Sequence, residues 1–202
     1  MKEKIIIIGS GGHAKSVIDV IESTNSWEIV GLIGLQSDLN KKVLGYEVVG
    51  TDDELKSFRK ICKNCFIAIG QIKSSDKRFN IAEKLSKLDF QLPKIISSSA
   101  IISKHAKIQY GTFIGHGAII NANVIIGKNC IINSKTLLEH DTEIGDFCHI
   151  STGTLINGGV KIGNHSFIGS GTIIREGIKI PPKTILAAGK TILHFPPKEN
   201  LK

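Results

Sequence analysis

The chain predicts two parts: a small α/β domain with a parallel sheet, then an all-β solenoid, a parallel β-helix. Three observations carry this. From Ile96 to Ile192 every sixth residue is Ile or Leu, seventeen positions without a break. Small residues keep phase four positions after each aliphatic one: Ala100, Ala106, Thr112, Ala118, then Cys130, Thr136, Thr142, Cys148, Thr154. Before residue 92, apolar runs alternate with amphipathic stretches around a glycine-rich turn. A period of six suits neither an α-helix (3.6) nor a half-buried strand (2), but it suits short strands that each send one residue inward before a corner. Three hexads close one eighteen-residue coil, so residues i and i+18 stack, and about five coils at strand spacing make a prism of about 25 Å.

In the first part, residues 1–92, Lys4–Ile8 reads as a buried strand and Gly9-Ser10-Gly11-Gly12-His13 as a tight turn. Ala14–Glu22 reads as a helix with Val17, Ile18, Val20 and Ile21 on one face, Trp27–Ile33 as a second strand, and Val43–Val49 as a short extended piece. Thr51 caps a helix whose first turn holds Asp52, Asp53 and Glu54, where acids complement the dipole. Phe66–Ile69 is the third core strand and Asp76–Lys87 a further helix. Strands alternating with helices imply a parallel sheet. Residues 93–202 form the repeat domain, with a polar tail beginning near Pro196.

Composition narrows the function. Aromatics are 5% of the 202 residues, so the core is aliphatic, and no run of eighteen apolar residues exists to span a membrane. The apolar run after Met1 is too short for a signal peptide, which predicts a cytoplasmic protein. The net charge of +8 suits anionic partners, but there is no run of five basic residues and no aromatic stacking platform, which argues against nucleic acid. Phosphate-bearing small molecules fit better. Cys130 and Cys148 lie one coil apart on the small inward site and read as reduced core residues. Cys62 and Cys65 form a lone C-x-x-C with no second ligand pair, so no metal site is expected.

The glycine-rich turn between a strand and a helix is an anion site in waiting, because backbone N–H groups converge at a helix N-terminus. A dinucleotide would also want an acid at the end of the second strand, and Leu32-Ile33-Gly34-Leu35 has none. The phosphate of a nucleotide sugar is the favoured ligand, with a purely structural turn as the other reading. In the repeat, His105, His116, His140, His149 and His165 are expected to point outward or sit at corners, since inward sites are filled. His140 differs from the others. Asp141 follows it, as a general base requires, and Gly158 of the only Gly-Gly in the repeat lies one coil on. That gap exposes backbone N–H groups that could hold a thioester oxyanion.

These hexads resemble the left-handed β-helix of hexapeptide-repeat acyltransferases, and the left hand comes from that resemblance. The stretch from Asn133 through His140-Asp141 to His149 and Ser151 is similar to the active-site stretch of the NeuD/PglD sugar acetyltransferases. So are Ile7-Ile8-Gly9 through His13-Ala14, Tyr46 to Asp52, and Ala68-Ile69-Gly70, which extends the resemblance over essentially the whole chain. It implies transfer of acetyl from acetyl-CoA to a sugar amine or hydroxyl for surface-glycan synthesis, in a homotrimer with sites between subunits. It assigns His140 as base and Asp141 as its carboxylate partner. His149, Gly158, Ser170 and Ala188 would contact acetyl-CoA, and Gly11, Gly12, His13 and Gly70 the nucleotide-sugar acceptor. Gly34 and Leu35 stand where members of the family often carry base-contacting acids, with Asp38 nearby. The sialic-acid-type, hydroxyl-directed branch therefore stays open beside the sugar-amine branch. Other readings are a non-enzymatic scaffold or sugar-nucleotide-binding protein, and a zinc hydrolyase similar to γ-type carbonic anhydrase. The last lacks the pair of histidines five apart.

Overall fold

A computed structural model describes residues 2–196, so most of the expected polar tail, 197–202, lies outside the described residues. The chain forms two compact units. One holds residues up to Gly70 together with Asp76–Ser98; the other holds Gln71–Ser75 and the chain from Ser99 onward.

In the first unit, β1 (Glu3–Ile8), β2 (Trp27–Gly34), β3 (Lys42–Val43), β4 (Tyr46–Thr51) and β5 (Asn64–Ile67) form one sheet in the order β3-β4-β2-β1-β5. All neighbours are parallel except the β3–β4 hairpin. Ile5, Ile6, Ile7 and Ile8 are all buried, as a strand covered on both faces requires. The extended piece read as Val43–Val49 is split by a two-residue turn at Leu44 and Gly45, both with positive φ, which is the geometry that folds a twisted hairpin back on itself.

Helix α1 (Gly12–Thr24) is longer at both ends than Ala14–Glu22. At its C-terminal end, Ser23 and Thr24 hydroxyls donate back to the Val20 carbonyl at 2.9 and 3.0 Å, which carries the helical path on to Asn25. There a left-handed φ of 52° ends it. At Thr51 the Glu54 carboxylate accepts the backbone N–H at 2.9 Å. A single 3-10 turn, Asp52–Glu54, then precedes α2 (Leu55–Ile61). The third core strand starts at Asn64 rather than Phe66, because Asn64 and Cys65 already pair with Ile5 and Ile6. Helix α3 spans Asp76–Lys87, as read.

The second unit is a three-sided prism of two-residue strands. The first face stacks 101–102, 119–120, 137–138, 155–156, 173–174 and 191–192; the second runs from 107–108 to 179–180; the third includes 113–114, 131–132, 149–150, 167–168 and 185–186. Every pair is parallel with residue i facing i+18, as in Ile120↔Leu138 and Ile144↔Ile162. No insertion breaks the phase. Inward aliphatics from Ile114 to Ile192 are buried. The small sites do more than fill space. Thr112, Thr136, Thr142, Ser166 and Thr172 each donate a hydroxyl to a carbonyl fifteen residues on, at 2.9 to 3.3 Å. A buried hydroxyl without a partner is costly, and here each one ties a coil to the next.

A second six-residue period marks the corners. Every sixth residue from Gly111 to Gly189 has a left-handed φ, between 53° and 70°. Glycine, Asn and Asp tolerate this region best and supply most of the positions, while Lys135, Phe147, His165 and Lys183 occupy the others.

Candidate active site

Two places in the chain gather the residues singled out by sequence. The first lies within the α/β unit. Strands β1 and β2 end side by side, and the chain leaves β1 through Gly9, held by its N–H to Ile33 O at 2.8 Å. It then enters α1 at Gly12. A Cβ at Gly11 or Gly12 would meet nothing within 4 Å, so both residues border open space. They line a cavity of about 370 Å³ together with His13, Gly34, Leu35, Asp38, Asp52, Gly70 and Lys77. Gly11, Gly12, His13 and Gly70 are thus brought together. Asp38 reaches the same cavity, where Ser10 Oγ donates to its Oδ2 at 2.9 Å and Lys41 to its Oδ1 at 3.0 Å. Lys41 first, then Ser10, hold its carboxyl below the usual carboxylate range. Lys77, which sequence reading missed, adds a cation from the first turn of α3.

The second place is the corner between the first and second prism faces. His140 is mostly exposed, and its Nδ1 lies 2.8 Å from Asp141 Oδ2. Neighbours in sequence can meet in this way because Asp141 has a φ of 60°, which turns its side chain back beside the ring. Asn123, one coil earlier, donates to Asp141 Oδ1 at 2.7 Å. These bonds, Asn123's first and His140's second, lower the Asp141 carboxyl below its ordinary range and keep it ionised. A carboxylate only accepts, so the imidazole must carry its proton on Nδ1, and neutral His140 therefore presents a lone pair on Nε2. That nitrogen hangs over Gly158. A Cβ built there would lie 2.7 Å from His140 Cε1 and 2.8 Å from Nε2. The ring occupies the space that glycine leaves, so Gly158 does more than leave an empty neighbouring surface.

His149 points outward from the third face, as expected of an outward position, yet it is buried. Segment Gln71–Ser75 accounts for this: the imidazole donates Nδ1–H to Gln71 O at 2.8 Å, and Phe167 meets it edge-on at 5.2 Å. The same segment holds His165, whose Nδ1 shares a hydrogen bond with Ser75 Oγ at 2.7 Å and whose ring stacks on Phe147 at 5.3 Å. Ser170 and Ala188 stand on a different corner, between the third and first faces, with Ser170 Oγ 2.8 Å from Ser151 Oγ. One chain therefore does not bring Ser170 and Ala188 to His140; the first face separates the two edges.

The cysteines take no part in either place. Cys130 and Cys148 are buried, and their thiols donate to Gly145 O and Gly163 O at 3.0 and 3.1 Å, repeating the hydroxyl pattern. Cys148→Ala should retain more than half of any acetyl-transfer rate, because packed thiols are inert. Loss of activity with an intact fold, or an acetylated Cys148 seen by mass spectrometry, would contradict this. Burial pushes the thiols of both Cys62 and Cys65 up, and Cys65 lies inside β5. No helix among the described residues is long and apolar enough to cross a membrane.

Comparison with known proteins follows the same two-part division. Residues 4–85 match the family profile described as PglD N-terminal domain, and residues 96–199 match the GMPPB C-terminal domain profile. A sequence search of curated proteins finds no match. Among solved structures, the chain is similar to a histidine-to-asparagine variant of perosamine N-acetyltransferase from Caulobacter crescentus, in complex with CoA and GDP-perosamine. The identity is 30%, with 95% of this chain and 89% of that one covered and a TM-score of 0.89. It is similar to the acetyltransferase domain of PglB from Neisseria gonorrhoeae with acetyl coenzyme A, at 26% identity, 95% and 93% coverage and a TM-score of 0.85. WeeI from Acinetobacter baumannii, at 22% identity, 94% and 96% coverage and a TM-score of 0.75, shares the fold. With an α/β domain, a left-handed β-helix and this identity over nearly the full length of its relatives, the chain belongs to the NeuD/PglD family of sugar acetyltransferases.

Proposed function

We propose that the protein transfers the acetyl group of acetyl-CoA directly to an amine or hydroxyl of a nucleotide-linked sugar, with His140 as general base. The observation that carries this is the imidazole held by Asp141 with its Nε2 over Gly158. In this reading the acceptor N–H or O–H gives its proton to Nε2 as it attacks the thioester carbonyl. Asp141 stabilises the imidazolium. The Gly158 N–H steadies the oxyanion, which collapses with cleavage of the C–S bond, and the imidazolium returns the proton to the leaving thiolate. Relatives bound to CoA, acetyl coenzyme A and GDP-perosamine support the two substrates. The glycine turn at the N-terminus of α1, with Lys77 beside it, suits a diphosphate, and Asp38 suits N–H groups of a base. A role in building bacterial surface glycans, in the cytoplasm where nucleotide sugars are made, fits such a substrate.

A homotrimer supplies what one chain lacks. The first prism face carries an outward aliphatic residue on each of its first five strands, Ile101, Ile119, Leu137, Leu155 and Ile173, and Thr191 on the sixth. Leu155 and Ile173 are 38% and 37% exposed and Ile101 66%, an unpartnered stripe that water disfavours. The His140 edge bounds this face on one side and the Ser170–Ala188 edge on the other. Three copies packed through it would set one copy's His140 edge against another's Ser170 edge, with acetyl-CoA between, its thioester end near His149 and Gly158. Leu155→Asp should give monomers with little activity in sedimentation velocity and turnover assays. A trimer of unchanged mass and rate would remove this face from the interface.

The test of function is a panel of GDP-perosamine, UDP-linked amino sugars and free sialic acid with acetyl-CoA, read by thiol release and product mass. Acetylation of a nucleotide-linked amine is the expected result. Reaction with sialic acid alone would place the protein in the hydroxyl-directed branch, and no transfer to any sugar by the folded protein would overturn the reading.

A further inference from the structure

The corner that holds His140 has a second tier. Asn123 lies eighteen residues before Asp141, so the strand register Ile125↔Glu143 sets one above the other. Both adopt the left-handed conformation, with φ of 63° and 60°, which aims the two side chains the same way. The amide nitrogen of Asn123 donates to Asp141 Oδ1 at 2.7 Å, and the other carboxylate oxygen receives the His140 Nδ1–H at 2.8 Å. Each oxygen thus has its own donor, and the carboxylate plane is fixed between them.

The fold itself does not call for an amide at this slot. Gly159 and Gly177 occupy the same corner one and two coils below Asp141, at φ of 68° and 70°, with no side chain at all. Of the two other carboxylates at this corner, Glu139 is held apart by Asn121 Nδ2 at 3.0 Å, and Glu176, two coils below His140, lies 3.8 Å from Arg175 Nε. The coil below contributes only Gly158 and Gly159 at the equivalent positions, so Asp141 is the charged group in contact with the ring.

We infer that Asn123 is a positioning residue for acetyl transfer: it fixes the Asp141 carboxylate so that His140 keeps its proton on Nδ1 and its lone pair on Nε2. This rests on His140 as the base. Charge-assisted hydrogen bonds are the strong ones, and releasing one end of the carboxylate lets it turn away from the ring. Sequence comparison of neighbouring coils also supplies a clean substitution, because glycine is already native at this corner.

Asn123→Gly should lower kcat about tenfold, a typical effect of freeing one end of a charged pair. The KM for acetyl-CoA should change less than about twofold and the melting temperature should hold, since the backbone conformation suits glycine. In an Asp141→Asn background the same substitution should add nothing, because its effect passes through Asp141. Without any substrate, ¹⁵N–¹H spectra of the imidazole should show a smaller share of the Nδ1–H tautomer of His140 in Asn123→Gly. Asn123→Asp keeps the shape and is a residue type that Asp141 shows the corner accepts. It sets two carboxylates together, so its rate relative to wild type should recover as pH falls and the introduced carboxyl gains a proton to donate. If Asn123→Gly does not fold, Asn123→Asp and its pH profile carry the test. A rate within twofold of wild type, an unchanged tautomer, or an equal loss in the Asp141→Asn background overturns the inference. If His140→Ala is inactive while Asn123→Gly is not, only this inference fails; if His140→Ala is also active, the base assignment itself has failed.

Discussion

His140→Ala should lower kcat by about 10²- to 10⁴-fold, the usual contribution of a positioned general base, while acetyl-CoA still binds. The geometry gives this expectation its form. The imidazole is the one basic nitrogen that the Asp141 contact holds over the Gly158 gap, and the ring is mostly exposed. Removing it therefore leaves no core cavity and should hardly change the melting temperature. Asp141→Asn should cost less, since it leaves the base in place while loosening its tautomer. Binding measured by calorimetry and turnover by thiol release separate the two effects. Turnover within about threefold of wild type in His140→Ala would fall far short of what a base supplies, and His149 would then become the group to test, although its Nδ1 is committed to Gln71 O.

Gly158→Ala should be nearly as damaging, by about 10²-fold in kcat, the scale of a misplaced catalytic group. The added methyl would lie 2.7 Å from His140 Cε1 and 2.8 Å from Nε2, closer than real Cβ contacts come. Gly158 is not among the residues with positive φ, so alanine strains no backbone there and the conflict falls on the ring. To relieve it, His140 must swing off the site or give up Asp141. Combining Gly158→Ala with His140→Ala should then cost no more than His140→Ala alone. Full activity in Gly158→Ala would show that the ring need not rest over that glycine during the reaction. A bulky side chain would fill the gap outright; the geometry shows that even a methyl group meets the His140 ring.

The repeat was legible because its two constraints are periodic. An aliphatic residue at each inward slot and a small residue at each corner leave a signal that survives at every sixth position, and the eighteen-residue stacking rule led straight from His140 to Gly158. The same rule read upward leads from Asp141 to Asn123, a step that sequence reading did not take. What periodicity cannot carry is a contact made by the chain outside the repeat. His149 is buried by Gln71, seventy-eight residues away in sequence, and nothing in the hexad pattern announces a strap lying on that face. The α/β unit was readable at the level of elements but not of their ends. Asn64 and Cys65 are polar or small residues recruited into β5 by pairing with Ile5 and Ile6, where tertiary pairing overrides the local apolar pattern. The turn at Leu44 was hidden because leucine rarely takes positive φ; Gly45 next to it was the available hint.

The three demands of the coil recur at the same places in each hexad, and this has an evolutionary meaning. In the hexad from Leu138 the fold dictates Leu138 itself, the left-handed Asp141 and the small Thr142. Glu139, His140 and Glu143 fall in slots on which the prism makes no claim. In the coil before, the His140 slot holds Ala122, and in the coil after, Gly158, with no change in strand register. Mutations at these slots can be sampled with little change in stability, so the prism leaves the His140 corner free to vary through single substitutions that selection for stability does not see.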